Sequence, residues 1–162
     1  MKTDSEYLIV LPIDPIPLGA RYAKGERLPL HCTVMHWFKS ETQFRGVVPW
    51  EVVRQRKDLC VGTEGIQLVS GAKENFGVNG EVVVNVLERN PILNVLHTLL
   101  LVHLVAHDFW PQKLQWVGAG YRPHVTPVHG RSFPSGTTYH AREMVLIERT
   151  SDKSKRVIAV SP

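Results

Sequence analysis

Leu30-His31-Cys32-Thr33-Val34-Met35-His36-Trp37-Phe38 and Arg122-Pro123-His124-Val125-Thr126-Pro127-Val128 carry the same short pattern, His-x-Thr, in opposite halves of the chain. Both stretches are rich in β-branched and aromatic residues and read as strands. In a strand, residues i and i+2 point to one face. His31 and Thr33 therefore share a face, with Cys32 and Val34 turned into the core. His124 and Thr126 share a face opposite Val125. Each strand offers an imidazole and a hydroxyl side by side, backed by apolar packing.

The rest of the chain is arranged around these two strands. Glu6 to Ile13 reads as a strand. Asp14 to Arg27 is a long loop with basic residues Arg21, Lys24 and Arg27, a length that suits a functional flap as well as a plain connector. Pro49 opens a helix that ends near Leu59. Gly65 to Ser70 and Gly80 to Arg89 are strands joined by a loop with Gly77 and Asn79-Gly80. Asn90 caps a helix with Pro91 in its first turn, running to about His107 with one strongly apolar face. Tyr121 to Val128, Glu143 to Arg149 and Lys155 to Val160 complete the strands, the last two joined by a turn at Asp152 to Ser154. The order β-β-α-β-β-α-β-β-β makes the chain one α+β domain with antiparallel sheet.

Composition narrows the class. The chain has 162 residues, 43% hydrophobic and 21% charged, an ordinary globular balance. Its apolar run from Leu99 to Ala106 is too short to span a bilayer, and the N-terminus shows no secretory signal. Cys32 and Cys60 form no disulfide framework and no zinc signature, and free thiols fit the cytoplasm. The net charge of +4 favours anionic partners or serves solubility.

Two imidazoles suit displacement at phosphorus. A neutral histidine takes a proton from the attacking oxygen, and an imidazolium gives one to the leaving oxygen. Thr33 and Thr126 can donate to the non-bridging oxygens. The competing reading is a pair of ordinary strand motifs on a solvated sheet face.

With these motifs, and with Phe76-Gly77, the valine-rich strand and the Leu93 to Leu100 helix in order between them, the chain resembles the two-histidine phosphoesterase superfamily. That group includes the RNA ligase/cyclic phosphodiesterase proteins of the LigT type. Pro127 departs from the aliphatic residue usual after the second motif. His129 and then Arg131 stand offset from the basic residue that often follows it. The resemblance implies a bilobal fold: two pseudo-symmetric lobes of antiparallel sheet, outer helices and a central cleft. It implies His31, Thr33, His124 and Thr126 as catalytic residues. It further implies a metal-independent phosphodiesterase with no cofactor, acting off the membrane on RNA, an oligonucleotide or a cyclic nucleotide; the sequence leaves the oligomeric state open, with a monomer expected. The bond cleaved would be a 2′,3′-cyclic phosphate, a 2′-5′ linkage or one in a cyclic oligonucleotide. A non-catalytic RNA- or nucleotide-binding module and an RNA ligase are the alternatives.

Four further residues are candidates for substrate binding. Arg122 shares the face of His124 and suits a phosphate. Trp37 and Phe38 suit base stacking or core packing. Arg131 is a second candidate phosphate ligand. Strict alternation puts His36 and Tyr121 on the opposite faces of their strands, as core residues. His103 and His107 have metal-ligand spacing on a helix but lack the glutamate of a zinc-protease motif.

Overall fold

The computed structural model describes residues 5–40, 48–61 and 64–161. Its strands are β1 (Glu6–Pro12), β2 (Arg21–Tyr22), β3 (His31–Ser40), β4 (Ile66–Phe76), β5 (Val82–Leu87), β6 (Phe109–Pro111), β7 (His124–Val125), β8 (Thr138–Ala141), β9 (Met144–Arg149) and β10 (Lys155–Ser161). Among the described residues, two helices, α1 (Trp50–Val61) and α2 (Pro91–Ala106), join them, with two short 3-10 turns, Leu114–Trp116 and Gly118–Gly120. The α+β class read from the sequence is the class observed. The side chain of Cys60 lies outside the described residues.

The strands form one sheet in the order β2-β10-β9-β1-β3-β7-β5-β4-β8, with β6 added to β3. Every pairing among the described residues is antiparallel. The two motif strands, β3 and β7, are neighbours at its centre.

One face of this sheet is covered by the helices. Leu93, Leu96, Leu100 and Leu104 of α2 are fully buried and join Ile9, Leu11, Cys32, Val34 and Val125 in the main core. The start of α2 follows from its sequence: the Asn90 side chain accepts from the Leu93 N–H at 3.0 Å, and Pro91 needs no donor of its own there. On the other face, Leu8, Val10, Val145, Ile147 and Val157 form a smaller core, closed by Ile16 and Leu28. Those two come from the long loop after β1. The loop is therefore a strap packed on the sheet, and β2 pairs it to β10.

The elements differ from the sequence reading in three places. β7 has two residues where eight were expected, because Pro123 and Pro127 remove the donors a longer ladder needs. β4 runs on to Phe76, past the loop expected after Ser70. β2, β6 and β8 are short strands made by tertiary pairing, with no local signal to announce them.

Candidate active site

β3 and β7 are joined at Cys32↔Val125. In an antiparallel pair, stepping one residue either way sets His31 opposite Thr126 and Thr33 opposite His124. Residues opposite one another point to the same face. All four motif side chains accordingly line one cleft of about 410 Å³, on the sheet face away from the helices. Both imidazoles are half-buried and open to it.

The two rings are held in the same way. Nδ1 of His31 lies 2.7 Å from the carbonyl of Pro29, and Nδ1 of His124 lies 2.8 Å from the carbonyl of Arg122. A carbonyl can only accept, so each Nδ1 carries the proton. Each Nε2 is thus the nitrogen that gains or loses one. In both cases the anchor is the residue two positions earlier, which the extended chain before each motif provides. Burial lowers the pKa of both rings. Each also feels neighbouring positive charge, His31 from His124 and His124 from Arg122. A second proton on the pair is therefore harder to add than the first. Neither threonine hydroxyl has a partner among the described residues. Cys32, between His31 and Thr33, is fully buried, and burial pushes its thiol up to about 12, which makes it a packing group and no nucleophile.

β3 does not alternate strictly, and this changes the site. The register with β1 slips twice: Val10 faces Thr33, Ile9 faces Met35 and Tyr7 faces Phe38. Each slip is a β-bulge with one extra residue on β3. Val34 and Met35 are both buried as a result, while His36 and Trp37 both reach the cleft. His36 is a cleft residue, contrary to the strict alternation that put it on the far face. Phe38 returns to the core at 1% exposure, packed edge-on against Phe109 and tilted against Tyr7, and offers no platform for a base.

Partners from outside the sheet ladder hold the first bulge. Tyr121 donates its hydroxyl to the carbonyl of Thr33 at 2.9 Å. His97 of α2 donates Nδ1–H to the carbonyl of Val34 at 2.7 Å and accepts the N–H of Gly118 at Nε2, 2.9 Å away. The two rings stack 3.9 Å apart and nearly parallel. His97 thereby ties α2, β3 and the second 3-10 turn together as a neutral imidazole. Tyr121 is a half-buried wall of the site as well as a packing residue.

A second compartment of about 210 Å³ adjoins the cleft and shares Thr33, His36 and His124 with it. Its walls are aromatic. Phe76 stacks on Trp116 with ring centres 5.6 Å apart and meets the edge of His124 at 4.7 Å. Trp116 is positioned by the paired 3-10 turns. These close so tightly that a Cβ on Gly120 would lie 2.1 Å from the carbonyl oxygen of Gln115. Arg122 lines this compartment, with its guanidinium 5.2 Å over Phe76 and 2.5 Å from Glu74. Lys113 lines it without a protein partner among the described residues.

The cleft's other end carries more positive than negative charge. Arg27, Arg149 and Lys155 line it together with Glu26. Lys155 donates to the Glu26 carbonyl at 2.7 Å, which fixes the strap over the cleft's edge. Glu6 holds Arg149 at 2.6 Å, with the guanidinium 3.9 Å over the ring of Trp37. Trp37 is thus in the cleft with one face already capped. Arg131 is not among the cleft's lining residues: it makes two hydrogen bonds to Asp14, at 3.1 and 2.9 Å, and staples the turn after β7 to the strap.

The sequence reading did not place Phe76, Trp116, Lys113, Arg149 or Lys155 in the site. Phe76 entered it only as a marker of element order, the others have no motif, and the strand order and the 3-10 turns bring them to the two central strands. Among the described residues, no three His, Cys, Asp or Glu side chains gather as a metal-ligand set. None of the helices there is long and apolar enough to cross a membrane. No family model matches the sequence, and no curated protein matches it.

Proposed function

We propose that this chain is a phosphodiesterase that uses His31 and His124 as a general acid/base pair on RNA-derived or nucleotide phosphodiesters. One observation carries the proposal. Two His-x-Thr strands, paired antiparallel, present their imidazoles to one cleft with the same Nδ1–H tether to the carbonyl two residues back. His97 makes the same kind of bond in a packing role, so what sets His31 and His124 apart is that both rings open into one cleft. There the carbonyl fixes the tautomer, leaves Nε2 to exchange a proton and supports the imidazolium.

For a 2′,3′-cyclic phosphate the steps balance as follows. Water attacks phosphorus while the neutral histidine's Nε2 takes its proton. The bond to one ribose oxygen breaks, and that oxygen receives the proton of the opposing imidazolium. The product is a 2′- or 3′-monophosphate, and the two histidines have exchanged protonation states. Thr33 and Thr126 donate to the non-bridging oxygens during the displacement. A 2′-5′ linkage or a cyclic oligonucleotide suits the same groups, with water or a neighbouring hydroxyl as nucleophile. Neither histidine is tied to one role, since the two strands offer it symmetrically.

The compartments suit a nucleotide. The stacked Phe76–Trp116 wall offers an apolar slot for a base, and Arg149, Lys155 and Arg27 offer charge to phosphates beyond the reacting one. We take β1, β9 and β10 on one side, and β5, β4 and β8 on the other, as the two lobes of the superfamily's fold about the β3–β7 pair. The buried thiol of Cys32 agrees with a reducing compartment, and we assign the protein to the cytoplasm.

The test is a panel of 2′,3′-cyclic nucleotides, 2′-5′ oligoadenylates and cyclic dinucleotides, incubated with the protein in excess EDTA, with products separated by chromatography. Turnover of at least one class at an EDTA-independent rate is the expected result. Tight binding of every ligand with no product would leave a binding module and reject the enzyme.

A further inference from the structure

β3 brings a third imidazole to the cleft. His36 lines both compartments, and among the described residues only Thr33 and His124 share that position with it. Its placement depends on the first bulge of β3, between Thr33 and Met35, so nothing in the His-x-Thr pattern requires it.

His36 is not held as the other two cleft histidines are. Its Nδ1 is shielded from solvent and has no hydrogen-bond partner among the described residues. An N–H buried there would lose a hydrogen bond outright, so the favoured tautomer keeps a lone pair at Nδ1 and the proton on Nε2. Among the described residues, no carbonyl accepts from Nδ1 to support an imidazolium. Burial and the positive charges of Lys113, His124 and Arg149 press the same way, holding its pKa at about 4. His36 is therefore a neutral N–H donor beside two proton-exchanging rings.

We propose that His36 binds the ribose 2′-hydroxyl that stands free beside a 3′-phosphate, as in the 3′-monophosphate released when a 2′,3′-cyclic phosphate opens or in a 3′-5′-linked cyclic oligonucleotide, and so favours these over their 2′-deoxy counterparts. This rests on the phosphodiesterase reading. In a nucleotide the sugar joins base to phosphate. With the phosphate between His31 and His124 and the base against Phe76 and Trp116, the sugar falls at the junction of the compartments. His36 stands at that junction. A neutral donor matches a neutral hydroxyl, while the cations at the far end of the cleft match phosphate.

The test needs no turnover. Dissociation constants are measured by calorimetry for adenosine 3′-monophosphate and 2′-deoxyadenosine 3′-monophosphate, with the wild type and with His36→Phe, which keeps a ring of similar size. The wild type favours the ribonucleotide by about fivefold, the usual net worth of one hydrogen bond. In His36→Phe the ratio falls to about one through weaker ribonucleotide binding alone. His36→Leu makes the same comparison if the Phe variant fails to fold. A variant that keeps the wild-type ratio overturns the role of His36 and leaves the phosphodiesterase reading standing. Failure of the wild type to bind either nucleotide rejects both.

Discussion

A hydroxyl beside an imidazole serves a phosphate only if the protein makes no other claim on it. Thr33 and Thr126 meet that condition. Thr33→Ala or Thr126→Ala is expected to lower kcat on the order of 10²-fold with little change in KM, the loss seen when one transition-state donor is removed. Steady-state kinetics on the best panel substrate checks this. His36 gives a second prediction, about stability. Burial lowers its pKa in the folded protein to about 4, from the ordinary imidazole value of 6.5. Between those values the unfolded chain binds more protons than the folded one, so stability falls as the pH drops through that window and changes no further from this group below it. In His36→Phe that contribution is absent. Urea midpoints from pH 7 to pH 4 are expected to decline less steeply in the variant than in the wild type, and parallel declines would contradict the burial of a neutral ring. These residues were unevenly legible. The His-x-Thr repeat named all four motif side chains. His36 was set on the wrong face because period-two alternation cannot register an inserted residue.

The bulge itself is an element held from outside. A bulged strand leaves carbonyls out of the ladder, and those of Thr33 and Val34 are met by Tyr121 and His97. Tyr121→Phe removes one hydroxyl and leaves the ring stacked on His97. The expected cost is about 1 kcal/mol of stability, the net worth of one hydrogen bond. A fall in kcat should accompany it, since Thr33 loses the contact that fixes its carbonyl. Chemical denaturation and kinetics on the same variant separate the two effects; an unchanged kcat would mean that the bulge holds without the tyrosine. At this scale the sequence was informative where local physics decides. Asn90-Pro91 starts α2 as read, and the Thr150-Asp152-Ser154 turn joins β9 to β10, with Asp152 accepting from both neighbours. It was uninformative where pairing decides. β2, β6 and β8 exist only because another strand lies beside them, and β7 is shortened by the prolines that made its motif conspicuous.

At the scale of the whole molecule, the sheet order converts a sequence repeat into a site. Two strands far apart along the chain become neighbours at the sheet's centre, with helices behind them, a strap on one side and an aromatic wall on the other. That arrangement sets the pH dependence. Burial lowers both imidazoles from their usual value near 6.5, and the mechanism needs one of them protonated. The kcat/KM profile is expected to be bell-shaped, with its maximum on the acid side of that value and a fall as pH rises through neutrality. A maximum in alkaline solution would contradict the lowered pair.

The most direct measurement is the rate of phosphodiester cleavage by His31→Ala and His124→Ala beside the wild type, in excess EDTA, with circular dichroism on each protein. Each variant is expected to lose about a thousandfold or more in kcat while keeping the wild-type spectrum. A correctly folded variant of either histidine that cleaves at the wild-type rate would contradict the account.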